Sequence, residues 1–196
     1  MTTKKTLVSG GIALCVAAAT ATTIALATGR EAHSAATALT SLSNAGRPVS
    51  LARTDPKIIH SMRAVGASLL GVRSRLAYYR IETKDGTCFS VGDSSTPGRI
   101  GGSECPHGPF PTRERPLLDL SIYETASHER GMLSLYSAEG IAADGVSSVA
   151  FTRSDGSVVL RLPVRGNVYS AQTVPSEGVA HVIAYNESGA EVWRSP

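Results

Sequence analysis

The sequence predicts a mainly β protein: an antiparallel β-sandwich-like domain of about nine short strands with one helix at its start, behind an N-terminal transmembrane or signal helix. Three observations carry that expectation. Short alternating apolar segments recur through the second half, separated by turn residues. Gly numbers 19 and Pro 10 among 196 residues, which suits many strands and turns better than a helix bundle. Past residue 50 a single stretch shows helical spacing.

In chain order, Lys4 and Lys5 precede residues 6–27, which are 22 positions without a charge. Crossing a bilayer takes about 20 apolar residues, so the run is long enough to span, with the lysines kept in the cytoplasm and the rest of the chain outside. Ala25-Leu26-Ala27 also reads as a signal-peptidase site, and cleavage after Ala27 would give a secreted protein instead. Cys15 lies within the run behind Ile12-Ala13-Leu14, without the small preceding residue of a lipidation site. The expected organisation is therefore a signal-anchor or signal peptide at 1–28, a linker at 29–54 rich in Ala, Ser and Thr, and an extracytoplasmic β-rich domain at 55–196.

Asp55-Pro56 is a helix start, because Asp caps free N–H groups and Pro suits the first turn. Ile58, Ile59, Met62, Val65, Leu69 and Leu70 then recur at spacings of three and four, which predicts a helix over 56–70. A strand at 76–82 turns through Lys84-Asp85-Gly86 into a second at 87–91. Residues 92–116 hold five prolines and few large apolar groups, and read as one long irregular loop. Strands follow at 117–123 and 132–136. The last third is the most regular: 146–153 and 158–164 meet across Ser154-Asp155-Gly156-Ser157, and 167–174, 179–185 and 191–194 follow, the last two joined through Asn186-Glu187-Ser188-Gly189.

Charge sets bounds on function. The net charge of +3 is too small to argue for nucleic acid as a partner. It is unevenly placed: residues 47–80 carry seven cations against Asp55, a local +6, while 81–196 have nine bases against fourteen acids, a local −5. This is either a basic face beside an acidic body or a site for a polyanion or lipid headgroup.

Cys88 and Cys105 are the cysteines outside the apolar run. In an exported domain they read as a disulfide pinning the long loop; free thiols, or a metal site with His107 that lacks a recognisable fourth ligand, are the alternatives. Gly92-Asp93-Ser94 could hold a serine nucleophile, but His60, His107, His128 and His181 sit in no catalytic motif, and the plainer reading is a polar turn. Arg113, Glu114 and Arg115, set between Pro111 and Pro116, form a possible binding loop. No catalytic residue, metal ligand or cofactor site is assigned.

The run Glu139-Gly140-Ile141-Ala142-Ala143-Asp144-Gly145-Val146, with Asp155-Gly156, Pro163-Val164, Asn167-Val168-Tyr169 and Val182-Ile183-Ala184-Tyr185, resembles uncharacterised exported or membrane-anchored proteins of high-GC actinobacteria. Cys105-Pro106, Phe110-Pro111 and Glu114-Arg115-Pro116 share that likeness, which spans about residues 70–195. The C-terminal part is also similar to immunoglobulin-like modules of bacterial surface proteins. The resemblance implies a place in the envelope, and no residue inherits a role from it. The expected function is a non-enzymatic extracytoplasmic envelope module binding a protein or envelope partner. The alternatives are an exported hydrolase-like enzyme using the 92–116 loop, and a purely structural envelope protein.

Overall fold

The computed structural model describes residues 39–121, 123–125, 133–135, 137–171 and 179–196. The chain divides into Met1–Ser34 and Ala35–Pro196. The first unit, with the expected membrane or signal segment at 6–27, lies outside the described residues. Among the described residues no helix is long and apolar enough to cross a membrane.

The second unit is mainly β, with antiparallel sheets. It holds β1 (Arg47–Pro48), α1 (Pro56–Met62), β2 (Ala64–Arg73), β3 (Leu76–Thr83), β4 (Gly86–Asp93), β5 (Ser103–Glu104), β6 (Leu117–Asp119) and β7 (Tyr123–Thr125). These are followed by β8 (Leu133–Leu135), β9 (Ala138–Ala142), β10 (Ser148–Thr152), β11 (Val158–Pro163), β12 (Val168–Ala171), β13 (His181–Tyr185) and β14 (Glu191–Arg194). The described strands thus number fourteen rather than nine. The surplus is mostly pieces of two or three residues, too short for alternation to announce them. One of these, β5, interrupts the segment expected to be a single loop over 92–116.

Strands β1 to β5 form one sheet in chain order, each antiparallel to the next. The β3–β4 hairpin is the one expected from Lys84-Asp85-Gly86: Thr83 faces Gly86, whose φ is 148°. The helix expected over 56–70 is corrected to seven residues. Asp55 accepts a bond from Lys57 N at 2.7 Å and caps it, Pro56 opens it, and Arg63 ends it in the left-handed region at φ 52°. A helix this short has no stability of its own, whereas 64–73 gains a full partner in β3. The misleading spacing has a physical origin. β2 carries register shifts between Ala64 and Gly66 and between Leu69 and Gly71, and each shift moves the alternation out of phase. Strand periodicity broken twice looks like spacings of three and four.

A second sheet has the order β11-β10-β13-β14, a third β12-β9-β6, and β7 pairs β8. The three-stranded sheet joins both larger cores. Its Leu118, Ile141 and Val168 pack against Leu70, Tyr78 and Phe89 of the five-stranded sheet. Its Leu117, Ala142 and Tyr169 pack against Val149, Phe151, Leu162 and Ala184 of the four-stranded sheet. Covered on both faces, β9 is buried at every residue. Gly140 is required there: a Cβ would collide with Leu118 O and Tyr169 Oη. The far face of the five-stranded sheet is covered by Val49, Leu51, Met62 and Ile100, which is why the adjacent residues Tyr78 and Tyr79 are both fully buried.

Residues 39–54, placed by composition in the linker, are tied to this body. Leu39 is in the core, and β1 pairs with Leu69 and Ser68. Between them the arm is stitched by polar bonds. Ser41 Oγ and Ser43 Oγ donate to the Asp144 carboxylate at 3.0 and 2.9 Å, and Asn44 Nδ2 donates to Leu70 O and Gly166 O. Asn167, itself buried, donates to Asp144 Oδ1 and accepts from Asn44 N. Burial alone would raise the Asp144 pKa, but the bonds from Asn167, Ser43 and Ser41 outweigh it and hold the carboxyl below its ordinary value.

Candidate functional site

Cys88 and Cys105 form a disulfide with Cα atoms 4.1 Å apart. The register explains it. Phe89 faces Glu104 and Ser90 faces Ser103, so the next residue beyond β5 falls opposite Cys88. Both thiols are consumed, which removes the alternative of a metal site built from Cys88, Cys105 and His107. Among the described residues no three His, Cys, Asp or Glu side chains converge as a metal site would need.

The segment after the disulfide is braced. Phe110 sets its ring edge-to-face on Phe89, with centroids 5.4 Å apart. Pro111 and Pro116 are buried. Thr112 and Arg115 exchange two backbone hydrogen bonds, each 3.1 Å, which makes Arg113 and Glu114 the tip of a tight turn. The Arg115 guanidinium donates to His107 O and Pro109 O, both at 3.2 Å, and lies 5.9 Å from the Phe110 ring centre. From the four-stranded sheet, Trp193 Nε1 donates to Glu114 O at 2.7 Å. The three residues expected to form a binding loop therefore divide. Arg115 is a half-buried strut turned inward on its own loop. Arg113 and Glu114 stand exposed at a tip that other groups hold in place.

Ser94 follows β4, with its amide bonded to Arg75 O at 2.9 Å. Asp93 beside it accepts from Ser95 N at 2.7 Å, and this bond holds its carboxyl below the ordinary value. No histidine among the described residues bonds Ser94. His60 is on α1, His107 is in the braced segment, His181 is on β13 in another sheet, and His128 lies outside the described residues.

The basic stretch does not converge either. Arg63 pairs with Asp85 at 2.9 Å, Arg73 donates to Arg165 O, and Arg80 is half-buried on β3. His60, Arg63 and Lys84 line an open cleft of about 720 Å³ with Pro56, Ile59 and Ala64.

A buried polar cluster escaped the sequence reading. Glu139, 1% exposed, points from β9 towards the five-stranded sheet, where Tyr78 Oη lies 2.7 Å from its Oε2. Tyr78 Oη is also 2.8 Å from Ser170 Oγ on β12, and Ser137 Oγ donates to Glu139 Oε1 at 3.2 Å. Ser121 Oγ accepts from Glu139 N at 3.0 Å. A lone acid in the run 137–143, among Ala, Gly, Ile and Ser, was the available signal.

Comparison with family models, with curated proteins and with solved structures finds no match to this chain.

Proposed function

We propose that the chain is a non-enzymatic module working outside the cytoplasm, held at the membrane by residues 6–27, which presents the Arg113-Glu114 turn to a protein or envelope partner. The observation that carries this reading is the bracing of that turn. A disulfide, an aromatic contact, an arginine strut and a tryptophan bond all serve to hold two exposed, oppositely charged residues in one conformation. A loop ordered before it binds loses less conformational freedom on binding, which strengthens association without added contact area. The disulfide supports an oxidising compartment, where such bonds persist.

The test is site-specific photo-crosslinking in whole cells. A crosslinker at Arg113 should give a discrete adduct, and one at Asp155, in the exposed β10–β11 turn, should not. The adduct at Arg113 should weaken when Glu114 is changed to Arg. Equal adducts at both sites, or none at Arg113, would overturn the reading. Location is tested separately: a reporter active only outside the cytoplasm, fused after Gly46, should be active, and a cytoplasmic reporter there silent.

A further inference from the structure

The Glu139 cluster has an unusual make-up for a buried carboxyl. Its side chain is bonded by hydroxyls, Tyr78 and Ser137, and by no cation among the described residues. The nearby charges do little to compensate. Asp119 on β6 adds a like charge. Arg73 on β2 acts on Tyr78. Arg80, two residues beyond Tyr78 on the same face of β3, has a buried Nε that bonds nothing. A buried carboxylate without a cation is costly, and its usual escape is to take up a proton.

The hydroxyls can serve both protonation states. Tyr78 has one proton and two oxygen neighbours, at 2.7 and 2.8 Å. With Glu139 ionised, Tyr78 donates to Glu139 and accepts from Ser170. With Glu139 protonated, the carboxyl O–H donates to Tyr78 Oη and Tyr78 donates to Ser170. Every group stays bonded, and the proton comes from and returns to water.

We propose that Glu139 is a proton-operated clasp between the five-stranded and three-stranded sheets, closing their seam when neutral and weakening it when charged. Burial pushes the Glu139 carboxyl above its ordinary 4.5, against the bonds from Tyr78 and Ser137, while Asp119 pushes the same way as burial. Burial likewise pushes the Tyr78 phenol up, so Tyr78 keeps its proton and remains a donor. The sign follows from linkage. The folded chain holds the proton to higher pH than the unfolded chain, so the stabilisation is complete below the unfolded pKa and is lost as pH rises through the folded one. Within that window the folding constant drops up to about tenfold per pH unit.

The experiment is denaturant unfolding of the full chain between about pH 5 and about pH 8, followed by Trp193 fluorescence, for the parent and Glu139→Gln. The amide is neutral throughout and can bond the same hydroxyls. The parent should lose stability relative to Glu139→Gln as pH rises; a difference that stays flat with pH would overturn the clasp. Tyr78→Phe supplies a second reading. Removing a donor to the charged form should raise the folded Glu139 pKa, so the loss should begin at the same pH but continue to higher pH before it levels off; an unmoved end of the loss would overturn the assigned partner. Should Glu139→Gln fail to fold, infrared spectra of the parent decide. A protonated-carboxyl band should persist above the ordinary carboxyl range and move to higher pH in Tyr78→Phe, and its absence there would refute the proposal.

Discussion

The five-stranded and three-stranded sheets share a core and are assembled by opposite means. In the first, every neighbour in space is a neighbour in sequence; in the second, β12, β9 and β6, none is. A meander can take its register from its turns, such as the one at Asp85-Gly86. The three-stranded sheet has no turn joining its neighbours, so its register rests on side-chain fit: a glycine beneath Tyr169, and a carboxyl against Tyr78. Sensitivity to substitution should therefore concentrate where the sheet is non-local.

The largest effect should come from Gly140→Ala. The added methyl meets a backbone carbonyl and a buried tyrosine that have nowhere to move. We expect a loss of roughly 3 kcal/mol, at the upper end of core overpacking, read as a lower denaturation midpoint. An unchanged midpoint would remove the claim that fit sets this register.

Replacing Cys88 and Cys105 together by Ser tests the meander, whose last strand is only two residues long. Closing a loop of about 15 residues is worth about 3 kcal/mol on the chain-entropy view, and no more than that should be lost here. Phe110, Arg115 and Trp193 should still hold part of the loop, so limited proteolysis without the disulfide should cut near residues 97–105 before it cuts at 112–115.

Gly156→Val should cost less, about 1–2 kcal/mol. Gly156 has φ 83°, and nothing lies within 4 Å of a Cβ there, so the penalty is backbone strain alone. If this exposed turn proves as sensitive as Gly140, the contrast between local and non-local sheets fails.

Asp144→Asn should be the mildest, about 1 kcal/mol, since the shape is kept and the amide oxygen can still accept from Ser43 and Asn167, while the charge and the acceptor for Ser41 are lost. The parent should shed that same increment as pH falls. Because the folded pKa of Asp144 is lowered, its stabilisation is present above the unfolded pKa and disappears as acid takes pH down through the folded one. The variant's stability should lack this acid component, which acid titration of both unfolding midpoints would show.

Much of the meander and of the C-terminal hairpins was legible because turn residues act over four positions. Asp155-Gly156 and Asn186 to Gly189 form the turns their chemistry implied. β2 was not legible, because two register shifts gave a strand the spacing of a helix. The loop's cysteines and its Arg113-Glu114-Arg115 triplet could be picked out in sequence. Their division into tip and strut could not, since it depends on Phe89 and on Trp193, 79 residues away from Glu114. Glu139 was visible as a letter, but its isolation from cations is a property of the seam between two sheets.

The stitched arm at 39–48 decides where this chain can be cut. Cleavage before Leu39 would leave each bond of that arm in place. Cleavage after Gly46 would withdraw Leu39 from the core and leave Asp144 and Asn167 without their partners on Ser41, Ser43 and Asn44. Residues 39–46, which composition alone would call a leash, are thus a stretch that a protease cannot remove without opening the core.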